Sequence, residues 1–399
     1  MIKGDPVFNP VAASAAVING YAEGSDRIRW SYDNETPGND ARGFTLGHPP
    51  IDEMESGLIN SVLHNGARFY VDHAHPEYST PECSDPLEAT LYDKAGESIM
   101  QAAAAAASER LPDGQRIVLH KNNSDGKGNS YGAHENYLVS RSLPFGEIAR
   151  HLTPFLISRQ ILSGSGKVGS EHGQRPVDFQ LTQRADFFEE EIGLETTLKR
   201  PIINTRDEPH ADAGKYRRLH VIFGDANLSE IQTFVKLGST ALFLLALESG
   251  EFDEPQILAT PVIDVTTVSH DISGTAALER RDGSVTSALE LQWRYLDDLE
   301  AFVDHTSPGA VYKQVIIEWR QLLADFEKGP SAVADRLDWA AKYRILNGFR
   351  DRDGLAWSAA KLRALSLLYH DIDPSRGLYF RLVASGRMRR LFTDREVHD

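Results

Sequence analysis

Apolar residues recur along this chain at two periods, and the switches between them outline the elements. Residues 11–22 (VAASAAVINGYA), 51–64 (IDEMESGLINSVLH) and 86–110 carry them at helical spacing, the last as an alanine-rich run. Residues 66–75 (GARFYVDHAH) change to period two, and 116–121 (RIVLHK) and 131–140 (YGAHENYLVS) read as strands around the glycine-bearing loop NNSDGKGNS. Further short strands are expected near 177–183, 200–204 and 217–224. From Ser229 to Gly250 the pattern is helical, with Ser229 suited to the N-cap and Gly250 to the stop. PVIDVTTVSHDISG, from Pro261, reads as a strand and turn. From about Ser284 to His370 helical spacing returns, broken at Pro308, Gly329-Pro330 and Asp351–Gly354. Trp30 to Leu46 is a polar loop rich in Asp, Asn, Gly and Pro. With no internal repeat and no clear linker, the simplest expectation is one mixed α+β domain with a helical back.

A chain of 399 residues can bury a full core, and 41% hydrophobic with 25% charged residues excludes disorder as the main state. The formal charge of −16 disfavours a nucleic-acid binder held by bulk positive charge. Cys83 is the only cysteine, which excludes an intrachain disulfide and any thiolate metal cluster, and fits a reducing cytoplasm. The most apolar stretch, Leu237 to Leu247, is about half the ~20 residues a membrane span needs and is flanked by Lys236 and Glu248, so it reads as a buried helix. The start, Met-Ile-Lys-Gly-Asp-Pro, lacks the pattern of a signal peptide. The expectation is a soluble cytoplasmic protein with no membrane partner.

Chemistry concentrates in NGARFYVDHAHPEYSTPEC, Asn65 to Cys83. Period two sends Arg68, Tyr70 and Asp72 to one face and Phe69 and Val71 to the other. His134 and Asn136 share a face in GAHENYL, and Arg218 and His220 share one in RRLHVIFG. If these strands are sheet neighbours, Asp72, Glu77, His134 and His220 converge on a hard cation such as Mg²⁺, with Arg68 and Arg218 free for phosphate oxygens. His73 and His75 offer a His-x-His zinc reading, but the flanking oxygen donors and absent thiolates make magnesium with a nucleotide more economical. His75, beside Pro76, reads as a structural residue. Gly164-Ser165-Gly166-Lys167 lacks the full phosphate-loop spacing, with Val168 where Ser or Thr should hold the metal. NNSDGKGN, from Asn122, is either a phosphate loop or a plain hairpin turn. PIINTRDEPHAD, 201–212, is either an ion-paired surface loop or a site loop in which Arg206 meets phosphate or a carboxylate.

NGARFYVDHAHPEYSTPEC, KNNSDGKGNSYGAHENYLVSR, LETTLKRPIINTRDEPHAD and KYRRLHVIFGDANLSE together resemble the Pup ligase and Pup deamidase/depupylase family, over most of the chain. The resemblance implies a fold similar to glutamine synthetase and the carboxylate–amine ligases, a curved antiparallel sheet cradle backed by helices. His-Ala-His after the aspartate and the polar segment Asp33 to Phe44 resemble the deamidase/depupylase branch. That implies hydrolysis of the amide between the C-terminal side chain of Pup and a substrate lysine, and deamidation of a C-terminal glutamine of Pup, with ATP and Mg²⁺ as bound cofactors. Position by position, it makes Asp72 the catalytic aspartate, as nucleophile or as base. Tyr70 and Glu77 become magnesium neighbours, and Arg68 and Thr80 nucleotide contacts. Arg218 and His220 become a further nucleotide and metal pair, with His134 as another metal neighbour; Arg206 joins the cofactor contacts from the loop pattern alone. The implied partners are Pup, a small acidic protein that folds on binding, and pupylated proteins. Arg376, Arg381, Arg387, Arg389 and Arg390 are a candidate basic groove for Pup.

The family pattern opens with a Gly-x-Glu-x-Glu strand that supplies magnesium carboxylates, and this chain begins at MIKGDPVFNP, beyond it; it stops at Val397-His398-Asp399, where relatives continue into a small C-terminal domain. The expectation is a single catalytic domain over 1–399 without those parts. Two other readings follow from the same residues: a catalytically impaired Pup-binding relative, and a Pup–protein ligase.

Overall fold

A computed structural model describes the chain except residues 6, 22–35, 37, 47–59, 172, 197–198, 209, 253 and 399. Strand β1 is Ile2–Lys3 and helix α1 is Pro10–Tyr21; β2 (Asn39–Asp40) and β3 (Phe44–Thr45) make a small hairpin. Strands β4 (Asn60–Val62), β5 (Arg68–Asp72) and β6 (His75–Ser79) form an antiparallel ladder ahead of helix α2 (Pro86–Ser108). β7 (Arg116–Ile117), β8 (Glu135–Ser140), helix α3 (Phe145–Ser163), β9 (Lys167–Val168), β10 (Phe179–Gln180), β11 (Phe188–Gly193), β12 (Arg200–Asn204) and β13 (Tyr216–Val221) follow. The rest is mainly helical: α4 (Glu230–Glu248), α5 (Pro261–Ser269), the ribbon β14 (Leu278–Glu279) with β15 (Val285–Thr286), α6 (Ala288–Thr306), α7 (Ala310–Phe326), α8 (Asp338–Asp353), α9 (Ala360–Tyr369), α10 (Leu378–Ala384) and α11 (Asp394–His398).

The class is α+β, as expected. Among the described residues the strands form separate ladders, not one continuous sheet, and β11 with β12 is parallel. Of the three strands expected side by side, β8 and β13 pair antiparallel, with His220 opposite Asn136, while β5 lies in a different ladder.

Two packing layers position these ladders. Helix α1 lies on α2 and covers the back of β5, where Val17, Ile18, Phe69, Ala103 and Ala107 are buried together. Behind β8 and β13, α3 and α4 form the centre of the main core, with Phe155 and Phe243 stacked at 4.4 Å. Helix α4 is long and apolar enough to cross a membrane, yet most of it is buried inside the protein. This agrees with the reading of Leu237–Leu247 as a core helix.

Several expectations are corrected. Residues 60–62 of the expected helix 51–64 are strand, paired with β5; 51–59 lie outside the described residues. The strand expected from Pro261 is a helix, because Pro261 starts it with a preset φ and burial of Val265 and Val268 overrides the β-branched propensity. The strand at 116–121 is limited to Arg116–Ile117. Helix α3 has no counterpart in the periodicity reading because it buries apolar and polar residues alike on nearly every face, so no apolar stripe marks it, and it carries Pro154 inside. Gly164 to Lys167 is no phosphate loop: the Ser165 amide donates to Asp225 at 2.8 Å and Lys167 pairs with Glu171 at 2.6 Å.

Candidate active site

The ladders and helices enclose an open cavity of about 3600 Å³. Arg68, Tyr70, Asp72, Glu77, Thr80, His134, Arg206, Arg218 and His220 all line it, so the catalytic, nucleotide and metal candidates face one space, while the C-terminal arginines do not.

Strand β5 alternates as its sequence requires: Phe69 is fully buried against α1, and Arg68, Tyr70 and Asp72 face the cavity. The Arg68 guanidinium lies 4.2 Å from the Tyr70 ring centroid, and its Nε donates to Asn60 Oδ1 at 3.1 Å. Tyr70 stands opposite Glu77 across β5 and β6, and its hydroxyl donates to Glu77 Oε2 at 2.8 Å. Burial, reinforced by Asp72, pushes the Glu77 carboxyl up to about 7. A bound cation would reverse that push.

Asp72 ends β5. The loop His73-Ala74 turns the chain into β6, with Asp72 opposite His75. His73 has φ +54°, in the left-handed region, and its Nδ1 lies 2.8 Å from Asp72 Oδ1. Ser14 of α1 donates to the Ala74 carbonyl at 2.8 Å, and the Tyr131 ring packs on His75 with centroids 4.2 Å apart. The tip is therefore held from two sides.

Elsewhere on the cavity lining, the His134 and His220 rings meet edge to face at 4.7 Å. Burial first, then the arginines at 184, 206, 200 and 218, hold His134 down to about 3; burial and His134 hold His220 well below its ordinary range. Both imidazoles are thus neutral, the form that binds a metal. His220 Nδ1 lies 2.9 Å from Asn136 Oδ1 and 3.3 Å from Arg218 Nη1. Nε2 is buried without a hydrogen-bond partner among the described residues, so the donor set fits a metal there. Arg218 donates to Asn136 Oδ1 at 2.6 Å and to the Glu208 carbonyl at 2.7 Å. Arg206 Nε is likewise buried without a partner among the described residues.

The expected quartet does not form. Among the described residues no three His, Cys, Asp or Glu side chains gather at ligand spacing; Tyr70 with Glu77 and His134 with His220 are two separate pairs lining the cavity. His73 and His75 do not make a zinc pair, since one turns to Asp72 and the other packs on Tyr131. The loop after β12 is a cavity wall: Asp207 holds Arg141 at 2.5 Å, and Arg206 and Glu208 line the space. The C-terminal arginines are largely neutralised, Arg376 by Asp371, Arg389 by Glu318 and Arg390 by Glu230. They make a poor basic groove. Sequence reading missed Arg200 and Tyr131, both on the cavity wall; neither sits in a period-two polar pattern.

Fold and site together define an enzyme of the glutamine synthetase-like α+β class. The chain belongs to the Pup-ligase protein family, whose profile matches residues 2–399. It is 50% identical to the Pup deamidase/depupylase of Mycolicibacterium smegmatis, over 99% of this chain and 81% of that one. It is 43% identical to the Pup–protein ligase of Micrococcus luteus, over 84% of this chain and 74% of that one. Among solved structures it is similar to the Pup ligase PafA in complex with ADP, with TM-score 0.80 and 34% identity over 89% of this chain and 82% of that one. The complex between Pup and its ligase PafA matches with TM-score 0.84 and 31% identity, over 100% of this chain and 76% of that one.

Proposed function

We propose that this chain is a depupylase and Pup deamidase. It hydrolyses the isopeptide bond between the Pup C-terminal side chain and a substrate lysine, and converts a C-terminal glutamine of Pup to glutamate. The observation that carries the reading is 50% identity, over nearly the whole chain, to proteins that bear that activity as their name, against 43% to a ligase.

Asp72 is the acting carboxylate. It reaches the cavity on a hairpin tip fixed by Ser14 and Tyr131, so its attack on the amide carbonyl, or its activation of water, needs little reorganisation. Arg68, Thr80, Arg206 and Arg218 would hold the phosphates of ATP. Tyr70 with Glu77 and His134 with His220 would hold Mg²⁺ as two separate pairs. Bound there, magnesium would supply positive charge that polarises the scissile carbonyl, and the nucleotide phosphates would help to hold it in place. Arg68 and Arg218 add fixed charge from their own strands, and the neutral histidines offer lone pairs without competing protons. Arg206, with an uncommitted Nε, is the side chain best placed to gain a bond on nucleotide binding.

The test is cleavage of a Pup–protein conjugate with Mg-ATP, with ADP followed in the same tube. Release of free Pup without stoichiometric ADP supports the proposal. Conjugate formation in step with ADP would assign the chain to the ligase reaction, and Pup binding without turnover would make it a non-catalytic relative.

A further inference from the structure

Hydrolysis of a lysine isopeptide has a requirement that Asp72 alone does not meet. The leaving amine is strongly basic, with a pKa of about 10.4 as free lysine, so its nitrogen must gain a proton as the C–N bond breaks. Asp72 is engaged at the carbonyl side, as nucleophile or as base. Tyr70, the nearest hydroxyl on its strand face, already donates to Glu77. His75 is packed against the Tyr131 ring.

His73 is the remaining proton-carrying group at the tip. Its side chain lines the cavity, is 71% exposed, and has Nδ1 2.8 Å from Asp72 Oδ1. The left-handed backbone at His73 closes the hairpin and brings the ring back beside its neighbour, while the Ser14 bond to Ala74 keeps the turn in place. With Nδ1 directed at Asp72, Nε2 is the nitrogen that faces open space.

We propose that His73 is the general acid of the reaction: its Nδ1–H orients Asp72 and its Nε2–H protonates the departing lysine amine, or the departing ammonia in deamidation. The inference rests on the hydrolase reading and on Asp72 as its carboxylate. In the water route, Asp72 takes one proton from water, the hydroxide oxygen bonds to the amide carbon, and the C–N bond breaks as nitrogen takes the Nε2 proton. Asp72 then releases its proton to solvent and His73 regains one. In the covalent route the same Nε2 proton leaves with the amine when Asp72 forms the anhydride, and water later opens it. Either way one water is consumed and a carboxylate and an amine result. A ligase that forms this bond has no such proton to deliver.

The test compares two leaving groups on the full chain with Mg-ATP. One substrate is a Pup–protein isopeptide conjugate. The other is Pup esterified as a 4-nitrophenyl ester on its C-terminal glutamate side chain, whose nitrophenolate leaves without a proton. His73→Asn tolerates the left-handed turn and keeps an amide donor for Asp72 but has no proton to give. Its single-turnover rate on the isopeptide is expected to fall on the order of 10²-fold or more, with its loss on the ester at least tenfold smaller. Equal loss on both substrates, or no loss on the isopeptide, would overturn the proposal; thermal melts of His73→Asn and His73→Ala report folding separately. Asp72→Asn distinguishes the two levels: it should silence both substrates, and if it does not, the reading beneath the inference fails as well.

Discussion

Asp72, Tyr70 and Arg68 share one face of a five-residue strand because side chains alternate in a strand, and that much is readable from RFYVD alone. The His134–His220 contact was legible only as two separate period-two patterns; their pairing depends on β8 and β13 being neighbours, which no local spacing encodes. Two predictions belong at this scale. Arg206→Ala should weaken ATP binding about ten- to a hundredfold, the equivalent of one charged hydrogen bond, by isothermal titration; unchanged affinity removes Arg206 from the nucleotide site. Asp264, in the first turn of α5, is an instance of buried charge away from the site. Burial pushes its carboxyl up to about 6, and Oδ2 has no hydrogen-bond partner among the described residues. The folded protein therefore binds this proton more tightly than the unfolded chain, and its stabilisation is present below pH 4 and lost as the pH rises through about 6. Asp264→Asn should raise stability by about 1–2 kcal/mol at pH 7, allowing for solvent screening, and by nothing near pH 4, in denaturant titrations at the two pH values.

At the scale of elements, amphipathic and capped helices were legible and enclosed ones were not. Ser229 accepts from the Gln232 amide as its place before an apolar run suggests. Helix α3 has apolar and polar residues alike buried on all sides, so no stripe marks it, and Pro154 argues locally against a helix. Helix α2 is linked to the site through Gly96, where a Cβ would stand 2.5 Å from the Tyr78 ring; Tyr78 lies on β6 beside Glu77. Gly96→Ala gains up to about 1 kcal/mol of helix propensity but overpacks by about 1–3 kcal/mol, so the clash wins. A lower melting temperature together with slower conjugate cleavage is expected; a stabilised, fully active variant would break the link between α2 and the hairpin.

On the scale of the whole molecule, a chain of net charge −16 keeps Arg68, Arg200, Arg206 and Arg218 around one cavity, and Arg376, Arg389 and Arg390 in ion pairs near its end. Composition revealed the acidic total but not which cations the fold brings to the cavity, where they stand among carboxylates such as Asp72, Glu77, Asp207 and Glu208. An acidic partner such as Pup would be drawn by these four arginines against the repulsion of the acidic total. Raising salt from about 0.1 M to about 1 M, which shortens the screening length from roughly 10 Å to 3 Å, should raise the KM for a Pup conjugate severalfold with a smaller change in kcat. A KM indifferent to salt would point to apolar recognition.

The most direct test of the central claim is a gel and intact-mass assay of this chain with a Pup–protein conjugate and Mg-ATP, beside Asp72→Asn. The account predicts free Pup and unmodified substrate from the wild type, with no cleavage but retained Pup binding in Asp72→Asn. Cleavage by Asp72→Asn at the wild-type rate, or an inert wild type, would contradict it.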